Sequence, residues 1–141
     1  MNVKTLVVIV LFVKILFMNF AGLFVSNIYG QQDIKGAEKI LGHWETHDGR
    51  AVIEIYKARN LYFGKIKAIP QENSPQANSL IDYMVLKDFS FLKGKFVDGT
   101  MHDPETGNMY QCKLWLEDNN TLKVRDYCGM FFKTFRWKRV N

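Results

Sequence analysis

Two histidines and two acids crowd into the stretch Gly42-His43-Trp44-Glu45-Thr46-His47-Asp48-Gly49, residue types that bind metal ions or move protons. A helical zinc site of the metalloprotease kind needs the order His-Glu-x-x-His, which puts both imidazoles on one helix face and leaves the glutamate as general base. Here the order is His-Trp-Glu-Thr-His, so the carboxylate is out of place. Gly42 and Asp48-Gly49 also bound the segment too tightly for a stable helix. As a strand it sets His43, Glu45 and His47 on one face, but at ~3.3 Å per residue the two histidines stand roughly 13 Å apart. They cannot share one ion held at ~2.0–2.1 Å. No metal ligand set is read, no cofactor is expected, and His43 and His47 are expected to face solvent.

Other residues invite chemistry more weakly. Asp103-Pro104-Glu105-Thr106-Gly107 has the alternating oxygens of a calcium loop, yet lacks the spaced acids and closing glutamate of an EF-hand. Proline early in a turn and glycine at its left-handed end describe a hairpin loop instead. Asp126 and Glu54 are the carboxylates expected nearest the interior, where each needs a partner; Arg125, Arg136 and tyrosines are available. Catalytic residues are not identified: a nucleophilic cysteine needs a base beside it, and no histidine lies between residues 109 and 141.

The surrounding elements read as strands. Turn signals at Gly49, Arg59-Asn60, Lys93-Gly94, Asp103–Gly107 and Asp118–Asn120 separate runs rich in Val, Ile, Tyr, Phe and Trp, the pattern of an all-β chain. Those runs are 51–58, 61–69, 83–92, 95–103, 109–117, 121–128 and 132–140, with His43–His47 as the first strand. Tyr110, Cys112, Leu114 and Leu116 alternate with polar or outward residues, and Leu122, Val124, Asp126 and Cys128 do the same, so each set occupies one buried face. Eight antiparallel strands joined by hairpins lose their edges by closing into an up-and-down barrel, which is wide enough for one small ligand. The polar connection Pro70–Ser79 is expected to be a loop over the barrel mouth. Ile34–Ile40 is expected to form a helical turn at the other end.

Residues 1–30 stand apart. A lysine-bearing start, an apolar run from Leu6 to Val25 and a Ser26–Gly30 exit make a secretory signal peptide. An uncleaved anchor is the rival reading, since about 20 apolar residues span a bilayer; Lys14 opposes it, at roughly 2.5–3.5 kcal/mol for mid-helix burial. The expected location is therefore periplasmic or secreted, with membrane contact only through residues 1–30 if they are retained. Residues 31–40 form the lead-in and residues 41–141 the barrel domain.

The whole chain carries nineteen basic and fourteen acidic residues. Beyond residue 30 the basic count is 17 against the same 14 acids, a mild excess. Arg136, Lys138 and Arg139 are its only cluster and read as a solvated strand edge, so no nucleic acid partner is expected. Cys112 and Cys128 allow one disulfide in an oxidising compartment. Pairing Leu116 with Leu122 puts Cys112 opposite Asp126, so the bond needs a bulge at the Asp118–Asn120 turn. Disulfide and two separate thiols both stay open.

Gly42-x-Trp44 on a first strand resembles the lipocalin signature. That resemblance implies that Trp44 closes one barrel end beneath an arginine of the last strand, Arg136 or Arg139. Taken with Asp48-Gly49, Ile55-Tyr56, Tyr62-x-Gly64-x-Ile66, Gly99, Asp103-Pro104, Gly107, Tyr110 and Trp137, the chain resembles the exported bacterial family called domain of unknown function 2147. The match spans essentially all of the chain after the leader. It implies a lipocalin-like barrel in the bacterial envelope and no established activity. Two departures, the lack of cysteines near "KARNLYFG" and a short "CGMFFKTF" before the last strand, fall at its hairpins.

The functional expectation is a monomeric, non-enzymatic binder or carrier of a small apolar or amphipathic ligand. Trp44, Ile55, Tyr62, Ile66, Tyr110 and Asp126 are the expected cavity residues. The alternative is a barrel packed shut that serves as a structural or protein-interaction module of the envelope, with outward Trp115 and Tyr127 as its candidate contact patch.

Overall fold

The computed structural model describes residues 34–70 and 74–141; the expected signal peptide, residues 1–30, and residues 31–33 of the lead-in lie outside the described residues. Two units divide the chain, Met1–Gly36 and Ala37–Asn141. A helix, α1, covers residues 34–38. Among the described residues no helix is long and apolar enough to cross a membrane.

The second unit is a closed barrel of eight strands in sequence order: β1 (Gly42–Glu45), β2 (Val52–Ala58), β3 (Leu61–Ala68), β4 (Met84–Leu92), β5 (Lys95–His102), β6 (Met109–Asp118), β7 (Thr121–Cys128) and β8 (Phe131–Val140). Every pairing is antiparallel, and β1 meets β8 through His43↔Val140 and Glu45↔Lys138 to close the circle. Closure joins the two outer strands only over Lys138–Val140, at the end where β1 begins. The fold is the all-β, eight-stranded up-and-down barrel expected from the strand pattern. One difference is the length of β1, which stops at Glu45. Thr46 then starts a turn in which its hydroxyl donates to Asp48 Oδ1 at 2.7 Å and its N–H bonds the Ala51 carbonyl.

The connection after β3 is not all loop. Pro75–Ser79 forms a short helix, α2, whose first turn is capped by Ser74 Oγ accepting from the Ala77 N–H at 3.1 Å. Serine at the cap followed by proline in the first helical position is a helix start written in sequence, and the turn-rich composition masks it. Ala77 is buried, and Leu80, just past the helix, packs on the core.

Trp44, Phe89, Leu122 and Val124 are completely buried, and Phe96 and Leu114 nearly so. Tyr62 meets Phe96 edge-on at 4.8 Å, and Phe91 lies 4.9 Å from the same ring. Gly99 admits Phe89: a Cβ there would fall 2.4 Å from the phenyl ring. Left-handed residues at Asp88 and Asp98, φ 62° each, break the β4–β5 ladder on either side of that contact. Aspartate tolerates this backbone region better than most residues, and the interruption turns Phe89 inward.

The same end of the barrel is sealed from outside the strands. Ala37 and Ile40 are buried in the core, so residues 37–40 fill the place expected for a plug. Trp44 Nε1 donates to the Ile40 carbonyl at 2.8 Å. Arg139 stacks on the Trp44 ring at 4.1 Å and donates to three carbonyls, those of Leu41, Lys39 and Asn119. Gly42 has φ 121°, a backbone conformation that favours glycine, and a Cβ there would lie 3.1 Å from Arg139 Nη1, a tight approach to the guanidinium. Arg139, not Arg136, closes the barrel. Trp137 points inward, so Arg139 does as well, while Arg136 faces out and pairs with Glu117 at 3.1 Å.

Candidate functional site

Inward residues on the sealed half are large and interlocked. Toward the opposite end they shrink or spread apart, to Ile53, Ile66, Val85 and Met101, and a cavity of about 1190 Å3 opens among them. Its mouth is formed by the β1–β2 turn, the stretch following α2, the β5–β6 loop and the β7–β8 hairpin, through Asp48, Leu80, Glu105 and Phe131. Volumes of roughly 300–1,000 Å3 suit drug-sized ligands, so an open cavity of this size has room for one. Trp137, Phe135 and the aliphatic residues make most of its wall, and Tyr110, Asp126, Lys133 and His47 add polar groups.

Strand alternation aims the polar groups. Asp126 falls on the inward side of β7, opposite Cys112 on β6 and Lys133 on β8. The Cys112 thiol donates to Asp126 Oδ1 at 3.8 Å. Burial pushes the Asp126 carboxyl up to about 6, against smaller opposing effects of the Cys112 hydrogen bond and the Lys133 charge. Burial also pushes the Cys112 thiol far up, with the Asp126 charge adding to it. Among the described residues no ion pair holds Asp126. Near pH 6 it is thus a cavity carboxyl at its midpoint, able to accept or donate a hydrogen bond, and above that mostly an acceptor.

Rim residues connect across the mouth. Arg50, from the β1–β2 turn, pairs with Glu105, from the β5–β6 loop. The β5–β6 loop is the hairpin turn expected: Asp103 carboxylate oxygens accept from the Glu105 N–H at 2.8 Å and from the Thr106 hydroxyl at 2.8 Å, and Gly107 takes φ 71°. Burial raises the Asp103 carboxyl, but these bonds and the nearby Arg50 outweigh it and hold the group below its usual value. His102 Nε2 lies 3.0 Å from Thr100 Oγ1; burial and then the Lys87 charge lower its pKa.

Of the six residues expected around a cavity, Ile66, Tyr110 and Asp126 line it. Trp44, Ile55 and Tyr62 lie instead in the sealed, packed half, all at most 3 % exposed. His47 is exposed, as expected. Because β1 ends at Glu45, the turn carries it to the rim, where its ring meets Phe135 at a tilt with centroids 4.3 Å apart. Glu54 faces outward, since Ile53 and Ile55 take the inward places, and it meets Lys65 and Lys67 at 3.8 and 3.6 Å. Cys112 and Cys128 are both free thiols. The β6–β7 irregularity between Leu116 and Asp118 leaves Leu116↔Leu122 and Cys112↔Asp126 in place, so the shift that a disulfide required does not occur. Among the described residues no group of three or more His, Cys, Asp or Glu could hold a metal ion.

The residues that sequence reasoning missed are Ile53, Val85, Met101, Lys133, Phe135 and Trp137. Inward parity marks them as core candidates, but only the level each occupies along the barrel axis separates wall from packing.

The barrel is similar to that of protein HP1028 from the human pathogen Helicobacter pylori, described as belonging to the lipocalin family. The TM-score is 0.58 at 17 % identity, over 72 % of this chain and 82 % of that one. At that identity the likeness is one of fold. No curated protein matches the chain. A family model described as "Uncharacterized protein conserved in bacteria (DUF2147)" matches residues 42–139, from the glycine under Arg139 to Arg139 itself, and the chain therefore belongs to that bacterial family.

Proposed function

We propose that this protein binds one small amphipathic molecule in the open half of its barrel and acts as an exported carrier or sequestering protein. The observation that carries the proposal is the half-filled barrel: one end packed and bolted by Arg139 on Trp44, the other hollow at about 1190 Å3. The wall chemistry selects the ligand class. Ile53, Ile66, Val85 and Met101 suit an apolar body, while Asp126 beside Lys133 suits one polar group held by hydrogen bonds or charge. Burying a polar ligand group stays favourable only with such partners. The lipocalin-like fold agrees with this use, and the apolar leader supports export to the periplasm or beyond. Monomeric action is part of the same proposal.

Native mass spectrometry of protein recovered gently from its own cells tests it. A bound small-molecule mass that disappears on denaturation is expected. A bare protein mass that stays bare when long-chain fatty acids and other amphipaths are added would overturn the proposal.

A further inference from the structure

The outer surface of β6, β7 and β8 differs from the rest of the barrel. Alternation sends Lys113, Lys123, Arg125, Arg136 and Lys138 outward from these strands, with two exposed acids among them, Glu117 at the β6 irregularity and Asp118 opposite Thr121. Five cations against two acids leave an excess of three, equal to the excess of 17 basic over 14 acidic residues beyond residue 30. Glu117 binds Lys123 at 3.2 Å and Arg136 at 3.1 Å. Lys113, Arg125 and Lys138 have no acidic partner among the described residues. Aromatic rings lie between the charges. The Arg125 guanidinium sits 4.4 Å from the Phe132 ring and 5.1 Å from Trp115, and Lys113 lies 5.6 Å from Tyr127.

This face runs without a break into the β7–β8 hairpin at the cavity mouth. Cys128 pairs with Phe131 around the tight Gly129-Met130 turn. Met130 is 93 % exposed, Phe131 77 % and Phe132 57 %. Phe132 rests against Arg125 and Tyr127, but Met130 and Phe131 stand largely in water at the tip. Apolar tips flanked by basic and ring-bearing side chains match the interface of an anionic bilayer: apolar groups enter the headgroup boundary, aromatic rings settle at its level, and lysine and arginine meet lipid phosphates. A nucleic acid would use the cations and rings but leave the exposed Met130 and Phe131 unexplained.

We infer that the β7–β8 hairpin and the outer face of β6–β8 form a docking surface for an anionic lipid bilayer, which brings the cavity mouth to the membrane. Phe131 and Phe132 belong to both the tip and the cavity lining, so docking lets an amphipathic ligand pass between bilayer and barrel with little exposure to water. The surface does not depend on a filled cavity, and an empty barrel would dock equally.

Cys128 offers a reporter within the tip, because it is exposed while Cys112 is buried. The full chain is labelled there with an environment-sensitive fluorophore and titrated with vesicles of phosphatidylcholine alone or mixed with phosphatidylglycerol. Reading the tip itself separates this contact from any held by residues 1–30. The expected result is a blue-shifted, brighter signal with phosphatidylglycerol vesicles that fades at high salt. The midpoint should weaken on the order of a hundredfold in the Lys113→Gln/Arg125→Gln/Lys138→Gln variant, at about fivefold per cation. Met130→Ser, at a side chain in open solvent, should weaken it without touching the charges. A silent label on protein that co-sediments with vesicles, or an equal response to pure phosphatidylcholine, would overturn the inference. So would a response to single-stranded DNA with none to vesicles.

Discussion

Replacing Asp126 by asparagine should stabilise the protein near and above neutral pH, an unusual outcome for removing a polar group from a protein interior. The reason lies in its surroundings. Burial raises its carboxyl from 3.8 to about 6, so the folded state prefers the protonated form. Below 3.8 both states hold the proton and the residue has little pH-linked effect. Between 3.8 and about 6 the folded state keeps a proton that the unfolded chain has released, and stability falls as pH rises. Above about 6 the full cost is present. A fully shielded group with that shift would cost about 3 kcal/mol. Asp126 is only half-buried and open to the cavity, so solvent screening reduces the expected cost to about 1–1.5 kcal/mol. Asparagine keeps the shape and an acceptor for the Cys112 thiol. Urea unfolding of both proteins at about pH 4 and about pH 8 isolates the effect, because shared contributions from Asp48, Asp82, Asp103 and Glu117, all lowered, cancel in the difference. Asp126→Asn is expected to gain that 1–1.5 kcal/mol at the higher pH and much less at the lower. A pH-independent difference, or a wild type that is the more stable at high pH, would refute the reasoning and mean that Lys133 holds the carboxylate charged.

Other perturbations follow from single contacts. Arg139→Ala removes the stacking on Trp44 and three carbonyl bonds and is expected to cost about 2–4 kcal/mol in chemical unfolding, whereas Arg136→Ala, on an exposed ion pair, should cost under about 1 kcal/mol. Gly99→Ala drives a methyl into the Phe89 ring and is expected to lose about 3 kcal/mol, read as a lower thermal midpoint. Ellman's reagent should titrate one thiol in native protein, Cys128, and the second only after unfolding, because Cys112 is buried with a raised pKa. The double variant Arg50→Ala/Glu105→Ala unties the two loops across the mouth; stopped-flow measurement with a fluorescent fatty acid should show faster entry and faster exit at nearly unchanged affinity.

Strand identity was written plainly in the sequence, since period-two alternation and turn residues bound each run; β7 falls where expected and the rest within a residue or two, apart from β1. Parity also fixed faces once one residue was anchored. Trp137 inward makes Arg139 inward and Arg136 outward, a choice that the cluster "FRWKRV" alone leaves open. Glu54 follows the same logic, because Ile53 and Ile55 claim the interior. Parity does not give height along the barrel axis. Tyr62 and Ile66 share a face of β3, yet one packs against Phe96 and the other lines the cavity. Height depends on stagger between strands, which arises only on closure. Turn geometry was equally hidden: the early end of β1 sets the exposed His47 against Phe135 at the rim. The Ser74-Pro75 helix start, by contrast, was legible and lost in the polar composition around it.

Bromine-labelled fatty acid, titrated against the intrinsic fluorescence of the protein, addresses the hollow barrel most directly. Trp137 lines the cavity, Trp44 lies in the sealed end and Trp115 faces out from β6, so contact quenching reports where the ligand sits. The expected result is saturable quenching of one tryptophan at one ligand per chain, abolished in Trp137→Phe. Quenching that is absent, never saturates, or survives in Trp137→Phe would contradict a ligand held in the open half of the barrel.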